Sequence, residues 1–374
     1  MGFVHTLASL VQSSASEAAM WGFATSLVLC VAVVMSKPWH GQFSLDGVQG
    51  VQKFHSAPTP RVGGLPIMLG VTLSTALAPQ VVCDVLTSVV LASLPAFMFG
   101  LAEDITKRVG VIQRLLATMA SGLLAWWLTD YSLSRVDIVG VDWILKFTLA
   151  SALFTAFAVG GIANSINIID GFNGLASTMS ALALLGIAVI AWQVGDHALA
   201  GAAFIVCACV WGFFWVNWPL GKIFLGDGGS YALGFVLAWL GVELVERNAS
   251  VTAFSVLLIC VHPVTEVLFS IFRRWIKKLH PGHPDRLHFH SLFKQRYVRR
   301  WFGGISLRAR NSVTGLILGL LTISAIWFAS LSYHSVAWSV AGFAGFALGF
   351  VTLYARMVNF RWRSPLHFLF FKPR

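Results

Sequence analysis

The sequence has little charge. Of its 374 residues, 11% are charged and 57% are hydrophobic, whereas about 25% of the residues in a soluble domain carry charge. This composition excludes a water-soluble globular protein. Apolar stretches of roughly 17 to 25 residues recur along the chain, and each is long enough to cross about 30 Å of hydrocarbon as a helix. The sequence therefore predicts an all-α polytopic membrane protein.

Other signatures are also missing. The five cysteines lie mostly within apolar stretches, without the spacing of a disulfide framework or a zinc ribbon, and are predicted to be small apolar side chains. Residues 1–35 contain no Lys or Arg, which argues against a cleavable signal peptide. In such a chain the net charge of +11 is first a signal of membrane topology, so we expect no nucleic-acid partner.

Eleven membrane-spanning helices are predicted from the apolar stretches. They lie near residues 18–35, 64–80, 86–101, 112–129, 144–163, 174–193, 197–217, 230–246, 251–271, 312–331 and 336–355. An odd number of spans places the termini on opposite sides, and 23 of the 26 Lys and Arg residues then fall on the side of the C-terminus. By the positive-inside rule, the N-terminus is outside and the C-terminus is in the cytoplasm.

The chain is predicted to form one integral membrane domain over residues 1–374. Within it, residues 272–311 form a basic, His-containing cytoplasmic loop, and residues 356–374 form a basic cytoplasmic tail. A chain this poor in charge offers few candidates for metal or proton chemistry. The acids on the cytoplasmic side are Asp46, Glu103, Asp104, Asp170, Asp227 and Asp285.

Two of these acids, Glu103 and Asp104, end the third predicted span and are followed by Lys107 and Arg108. Neighbouring carboxylates at a membrane face can hold a hard cation such as Mg²⁺, which takes one or two protein carboxylates and fills its other positions with water or phosphate. The alternative is a helix end at which the acids form surface ion pairs with the two cations.

Three polar residues, Asn164, Asn167 and Asp170, follow the fifth predicted span at three-residue spacing, which places them along one face of a helix. Asp170-Gly171 then breaks the helix. Amide and carboxylate groups at a helix end suit recognition of a polar ligand such as a nucleotide or a sugar. The alternative is capping of the helix around a tight turn.

A glycine-rich segment, Ile223–Ser230, immediately precedes the eighth predicted span. Its amides and the helix N-terminus can face a phosphate, while Asp227 offers a carboxylate to a metal. It is not a Walker motif, because the order Gly-x4-Gly-Lys-Ser/Thr is missing. The alternative is a turn in which Asp227 is the N-cap.

The basic loop contains four histidines. Only His288 and His290 are close together, they alternate instead of following helical spacing, and no cysteine accompanies them, so a zinc site is not favoured. With Arg286 they are candidates to donate hydrogen bonds to an anionic substrate, and Lys53 and Arg61 are candidates to contact a lipid phosphate. The alternative for the basic residues is a surface that binds anionic membrane lipid.

His262 and Glu266 are one turn apart within the ninth predicted span. Ionisable side chains are costly there and must face the interior of the bundle or water. We interpret the two residues as a packed pair, with part of a cavity as the alternative.

Together these loops resemble a known family. Its motifs occur in order over roughly residues 37–310, at Pro58–Gly64, Glu103-Asp104, Asn164–Leu175, Phe224–Ser230 and Asp285–His290. The chain resembles the polyprenyl-phosphate N-acetylhexosamine-1-phosphate transferases, especially the bacterial branch that starts O-antigen and related glycans. The resemblance implies transfer of a sugar 1-phosphate from a UDP-N-acetylhexosamine to undecaprenyl phosphate, with release of UMP, at the cytoplasmic face of the bacterial inner membrane.

The resemblance also implies roles for individual residues. Asp227 would bind Mg²⁺, with Mn²⁺ as an alternative metal. Asp104, next to Glu103, would bind the metal or the lipid phosphate, or would act as a base. His288 and His290 would hold the diphosphate. The nucleotide-sugar pocket would be lined by Asn164, Asn167, Asp170 and Asn173.

Three positions depart from the family pattern. Glu103 stands where Asp is usual, Asn173 replaces the second acid of an Asp-Gly-x-Asp-Gly motif, and Ser291 stands where a further His is usual. Glu103 keeps the charge, but Asn173 cannot act as an acid, a base or a strong metal ligand.

A transporter or a non-catalytic lipid-binding membrane protein is the rival interpretation. A transporter predicts functional charge near the middle of the bilayer and an internal repeat, whereas the acids here lie at one face and the sequence shows no repeat. The sequence does not identify the N-acetylhexosamine, and a homodimer stays an open alternative.

Overall fold

The computed structural model describes residues 3–46, 58–276, 278 and 287–359, and they are almost entirely helical. The helices are α1 (Phe3–Val11), α2 (Ser16–Met35), α3 (Lys37–Ser44), α4 (Gly64–Leu77), α5 (Gln80–Thr106), α6 (Val111–Thr129), α7 (Val139–Leu145), α8 (Thr148–Ile169), α9 (Leu175–Gln193), α10 (His197–Asn217), α11 (Gly226–Arg247), α12 (Ala253–Ile259), α13 (Val261–Ile276), α14 (Phe289–Phe293), α15 (Arg299–Trp301), α16 (Leu307–Leu321), α17 (Ile323–Ser332) and α18 (Val336–Val358). A π-helix, Lys294–Val298, joins α14 to α15. Two short strands, β1 (Leu45–Asp46) and β2 (Thr59–Pro60), pair antiparallel, with Leu45 opposite Pro60.

In the described part of the chain, nine helical segments are long and apolar enough to cross a membrane. They are α2, α5, α6, α8, α9, α10, α11, the joined α16 and α17, and α18. The bent pair of α12 and α13 adds a tenth if it is one span, and α4 is a shorter apolar helix. The architecture agrees with an all-α polytopic membrane protein, while the number eleven and the orientation stay predictions.

The ninth predicted span is broken. Helices α12 and α13 meet at Cys260 and are bent by 85° relative to each other. Pro263 has no N–H to donate to the carbonyl four residues earlier, so the hydrogen-bond ladder of α12 cannot continue through it. The span predicted near residues 251–271 therefore consists of two helices with a sharp bend between them.

Helix α11 lies at the centre of the molecule. Every residue in the most apolar part of α11 is buried, whereas 11% of the corresponding part of α18 is buried. Close packing depends on glycine: a Cβ on Gly100 of α5 would lie 2.6 Å from the carbonyl carbon of Asp227, and one on Gly64 of α4 would overlap the backbone of Gly229. These approaches bring the ends of α4 and α5 against the first turn of α11.

Parts of two predicted segments lie outside the described residues. They are residues 277 and 279–286 of the basic loop, and residues 360–374 of the basic tail. Lys53 and Arg286, predicted to bind substrate, also lie outside them. The division of the chain into one membrane domain, a loop and a tail stays a prediction.

Candidate active site

Asp227, in the first turn of α11, is the centre of a charged cluster. Arg61 and Arg114 both donate to its carboxylate, one to each oxygen. Asn167 Nδ2 donates to Asp227 Oδ1 at 3.1 Å. The Asp227 side chain is 3% exposed. Three segments far apart in sequence therefore converge on one buried carboxylate.

Asp104, in the last turn of α5, holds the start of α11. Its Oδ1 accepts from the N–H of Asp227 at 2.9 Å, and its Oδ2 accepts from the N–H of Gly228 at 2.8 Å. Arg61 Nε lies 3.2 Å from Asp104 Oδ1. A carboxylate suits this place because the N-terminus of a helix carries unsatisfied N–H groups and partial positive charge. In the structure Asp104 positions Asp227.

Glu103 does not join its neighbour. Its Oε2 accepts from the N–H of Val109 at 2.8 Å, in the turn between α5 and α6. Lys107 Nζ donates to the backbone carbonyl of Asp104 at 2.7 Å. The two carboxylates have different hydrogen-bond partners, because successive residues of a helix face different directions. Their joint action on one cation stays a prediction.

The three polar residues at the end of α8 are separated. Asn167 reaches the cluster and also donates to Ser230 Oγ at 2.8 Å, while Tyr231 donates to Asn167 Oδ1 at 3.4 Å. Asn164, one turn earlier, donates to the carbonyl of Gly160 in its own helix at 2.7 Å. Helix α8 ends at Ile169, which confirms the helix break predicted at Asp170-Gly171.

Asp170 follows α8 directly. Burial raises the pKa of its carboxyl from 3.8 to about 7, and the attraction of Arg61 only partly offsets that effect. Asp170 and Asp104 also lie close enough to repel each other. Asp170 is therefore a third acid within electrostatic reach of Arg61.

The histidine segment meets the turn that follows Asp170. His290 packs edge-on against Phe172, with ring centroids 5.4 Å apart, and a Cβ on Gly171 would lie 2.8 Å from His290 Nε2. His288 stacks on His290 at 5.4 Å. The structure thus brings the predicted diphosphate-binding histidines to the same turn as Asp170.

A buried acid from α13 holds this segment in place. Glu266 Oε1 contacts His288 Nδ1 at 2.9 Å, and both Glu266 oxygens accept from the N–H of Phe289, at 3.1 and 3.2 Å. His262 instead packs against the rings of Phe289 and Phe350. Both residues are buried and act on each other electrostatically, which agrees with a packed pair, and Glu266 in addition binds the histidine segment.

Lys294 is a second polar group at the same turn. Its Nζ lies 4.9 Å from the centroid of the Phe172 ring, a cation–π arrangement. Burial and repulsion from Arg310 lower the pKa of Lys294 from 10.5 to about 8.

Asn173 is part of the packing between the turn after α8 and helix α16. It is buried, and its amide donates to Ser312 Oγ of α16 at 3.2 Å. The next residue, Gly174, has a φ of +81°, and its N–H donates to Asn217 Oδ1 at 2.6 Å. A left-handed conformation favours glycine because it has no Cβ. These contacts fix the turn between α8 and α9, so the loss of an acid at Asn173 leaves the Asp227 cluster intact.

Arg114 is the main residue that sequence reasoning missed as part of the site. It was counted only as a cation that reports topology. A stronger signal was available: Arg114 lies inside the fourth apolar stretch, where a charge is costly and therefore suggests a function. Tyr231 accompanies it, with the Arg114 guanidinium 5.7 Å from the ring centroid.

The atoms of the cluster that could bind a metal are oxygen atoms. Within the described residues, no group of three or more His, Cys, Asp or Glu side chains forms a metal site. Zinc usually requires such a set, but Mg²⁺ needs only one or two carboxylates and takes its other ligands from water and phosphate. The Asp227 carboxylate, with the Asn167 amide bonded to it and Asp170 within electrostatic reach of Arg61 and Asp104, therefore fits Mg²⁺ or Mn²⁺ and does not fit zinc.

Comparison with known proteins gives one family. The sequence profile of the family described as "Glycosyl transferase family 4" matches residues 86–245. This range contains Asp104, Arg114, Asn167 and Asp227, and it excludes Arg61 and the histidine segment.

Individual relatives extend the match. A protein of Bacillus subtilis (strain 168), named as a probable undecaprenyl-phosphate N-acetylglucosaminyl 1-phosphate transferase, is 30% identical over 288 residues, which are 74% of this chain and 75% of the relative. An undecaprenyl-phosphate alpha-N-acetylglucosaminyl 1-phosphate transferase of Escherichia coli (strain K12) is 26% identical over 246 residues, which are 64% of this chain and 66% of that protein.

Proposed function

The chain belongs to glycosyl transferase family 4, together with undecaprenyl-phosphate N-acetylglucosaminyl 1-phosphate transferases, and from this premise we propose its reaction. It transfers an N-acetylhexosamine 1-phosphate from a UDP-sugar to undecaprenyl phosphate and releases UMP. The reaction takes place at the cytoplasmic face of the bacterial inner membrane and depends on Mg²⁺, or on Mn²⁺ in its place.

The observation that carries this proposal is the convergence of Arg61, Arg114 and Asn167 on Asp227. Displacement at phosphorus needs little covalent help from a protein, and it depends on positioning and on stabilisation of charge on the phosphoryl oxygens. Arginine suits this task because its planar donors match phosphate oxygens in pairs. A metal ligand and two arginines within one cluster provide both elements.

The residues then have distinct roles. Asp227 holds the metal with help from Asn167 and Asp170, while Asp104 fixes the first turn of α11. Mg²⁺, when bound, polarises the phosphoryl oxygens. A general base is dispensable, because a phosphate monoester with a second pKa near 6 is already mostly dianionic at neutral pH.

The remaining contacts orient the substrate. Arg61 and Arg114 bind the diphosphate of the UDP-sugar, and His290 contacts it from the turn at Asp170. Glu266 orients the histidine segment from behind. The topology predicted from Lys and Arg places this cluster in the cytoplasm, where a soluble UDP-sugar and the phosphate of a membrane lipid can meet.

The test is a reconstituted reaction. Purified protein in detergent is incubated with undecaprenyl phosphate, Mg²⁺ and UDP-N-acetylglucosamine, and release of UMP is measured, then repeated with other UDP-N-acetylhexosamines. We expect UMP with at least one of them. Absence of UMP with all of them, from protein that still binds undecaprenyl phosphate, would support the alternative of a lipid-binding or transport protein.

A further inference from the structure

The carboxylate of Asp227 is already paired with two arginine side chains of the protein. Arg61 and Arg114 each donate to it, although the proposed function requires Asp227 to bind a metal. Both arginines are more accessible than their partner: their side chains are 28% and 15% exposed, against 3% for Asp227. A cation that arrives from solvent therefore meets the arginines before it meets the carboxylate.

We propose that Arg61 and Arg114 form an exchangeable latch on Asp227. In the free protein they hold the carboxylate, and they transfer to the diphosphate when a divalent cation and a nucleotide sugar bind together. The cation and the nucleotide sugar consequently bind with positive cooperativity, and each alone binds weakly. This inference rests on the proposed function, because it takes a metal and a diphosphate as the ligands of the cluster.

The balance of charge supports the latch. The ion pairs join two aspartates, Asp104 and Asp227, to two arginines, so the charges of these four side chains cancel when both carboxyls are ionised. A divalent cation alone would leave an uncompensated positive charge among buried groups, and a doubly charged diphosphate alone would leave a negative one. Both imbalances are costly where water is excluded. The two ligands together restore neutrality.

The geometry shows which partner moves. Asp227 is fixed because Asp104 holds its backbone N–H, and α11 is buried over its length. Arg114 lies in the first turn of α6 and has an unmet donor: its Nε is buried and has no hydrogen-bond partner among the described residues. An unsatisfied buried donor is unfavourable. A phosphate oxygen would satisfy it, so the guanidinium gains a hydrogen bond when it leaves the carboxylate for a diphosphate.

The test measures metal binding instead of turnover. Mn²⁺ is titrated into the purified protein and free Mn²⁺ is followed by EPR, first without nucleotide and then with saturating UDP-N-acetylglucosamine, with a blank for Mn²⁺ bound by the nucleotide itself. We expect the nucleotide sugar to tighten Mn²⁺ binding at least about tenfold, within the usual range for coupled sites. An unchanged Mn²⁺ affinity would overturn the latch.

Variants identify the arginines as the cause. In Arg114→Gln the carboxylate loses one competitor, so Mn²⁺ alone should bind about tenfold more tightly and the effect of the nucleotide should shrink. Arg61→Gln should act in the same direction, and Arg114→Lys should stay close to the unsubstituted protein. The matched control is Arg108→Gln, which removes the same charge from an exposed position in the adjacent turn and should change neither value.

Two outcomes separate the latch from the function. If Arg114→Gln and Arg61→Gln bind Mn²⁺ alone as weakly as the unsubstituted protein, the latch is refuted while UMP release still supports the transferase. If Asp227→Asn binds Mn²⁺ as well as the unsubstituted protein, the metal assignment of the proposed function is refuted as well.

Discussion

The two ends of α11 carry similar ion pairs in different surroundings. At its C-terminal end, Arg247 pairs with Asp196 at 2.8 Å and with Glu243 at 3.2 Å. At its N-terminal end, Arg61 and Arg114 pair with Asp227. Both ends follow the helix dipole, which favours acids at the start of a helix and cations at its end. Charge type alone therefore does not distinguish the ends.

The difference lies in how completely the donors are satisfied. Near the C-terminal end of α11, Arg135 Nη2 donates to several carbonyls, the closest being that of Val251 at 2.7 Å, and its Nη1 donates to Asp137 at 3.1 Å. Asp137 also accepts from the N–H of Ala253 at 2.8 Å. Arg135 and Arg247 thus both connect loops and helix ends.

At the N-terminal end, by contrast, two arginines share one carboxylate, and Arg114 Nε has no hydrogen-bond partner among the described residues. A structural ion pair closes its own hydrogen bonds, whereas a ligand site keeps donors that a substrate can satisfy. The two ends of α11 therefore differ in the satisfaction of their donors and not in the presence of ion pairs.

The largest effect is expected at Asp227. In Asp227→Asn the carboxamide keeps the size of the side chain but loses the charge that binds the metal, so we expect UMP release to fall by about a thousandfold or more. Arg61 and Arg114 are partly exposed and can turn to water, so the thermal unfolding temperature should change little. Activity near normal at saturating Mg²⁺ would contradict the role of Asp227.

The second effect concerns Glu266, which orients the histidine segment. Glu266→Gln replaces a carboxylate that accepts from His288, Phe289 and Ser270 with an amide that has one acceptor oxygen, so His288 and His290 lose their fixed position. We expect kcat/KM to fall about tenfold to a hundredfold, mainly through a higher KM for the UDP-sugar.

The matched control for Glu266 is His262→Leu, one turn earlier on α13. His262 packs among aromatic rings, so an apolar side chain of similar size should leave the KM unchanged. Equal losses of activity in both variants would show that Glu266 acts only through the packing of α13.

The helices were largely predictable because their apolar stretches are long. The segment predicted near 112–129 is α6, and the one near 197–217 is α10. The break at Cys260 was not predicted, because the apolar stretch continues through Pro263 and only the missing N–H interrupts the helix. The end of α8 was predictable although Asn164 and Asn167 lie beyond the apolar stretch, because their three-residue spacing continues the helix and Asp170-Gly171 breaks it.

Candidate site residues could be predicted where they lie within one short sequence motif. Asp227 and Asn167 were found from short motifs, and they are hydrogen-bonded to each other. Asp170, found in the same way, lies within electrostatic reach of Arg61, which pairs with Asp227. The partnership of Glu266 with His288 could not be predicted, because 22 residues separate them and the bend of α13 sets their distance. Arg114 was missed because a single arginine in the sequence can equally report membrane topology or belong to a site. Only its ion pair with Asp227, which the structure gives, distinguishes the two.

The third effect is a pH dependence at the N-terminal end of α11. Because burial raises the pKa of Asp170 to about 7, its carboxyl is mostly protonated below that pH, and a bound cation requires it to ionise. The affinity for Mn²⁺ should therefore rise as the pH increases from 6 to 7 and level off above about 8, by about tenfold in all. EPR titrations at pH 6, 7 and 8 measure this change.

Asp170→Asn provides the control, since it should bind Mn²⁺ more weakly and lose the part of the pH dependence that Asp170 contributes. The free energy of unfolding changes with pH in the opposite direction to the Mn²⁺ affinity. The folded protein without metal favours protonated Asp170, so its contribution to the free energy of unfolding falls as the pH rises from about 4 to 7. A Mn²⁺ affinity that is constant between pH 6 and 8 would contradict the presence of Asp170 in the cluster.

The smallest effect on activity is expected at the C-terminal end of α11, where Arg247→Gln tests the other half of the comparison. The substitution leaves Glu243, which is 2% exposed, without its cation, and breaking such a buried pair costs about 3 kcal/mol. The thermal unfolding temperature should fall by several degrees while kcat and the KM for the UDP-sugar stay unchanged, because the satisfied donors at this end have no substrate to bind. Unfolding by heat and UMP release at 25 °C measure the two quantities separately. A loss of turnover without a loss of stability would show that both ends of α11 take part in catalysis, and the satisfaction of donors would then not distinguish a structural cluster from a functional one.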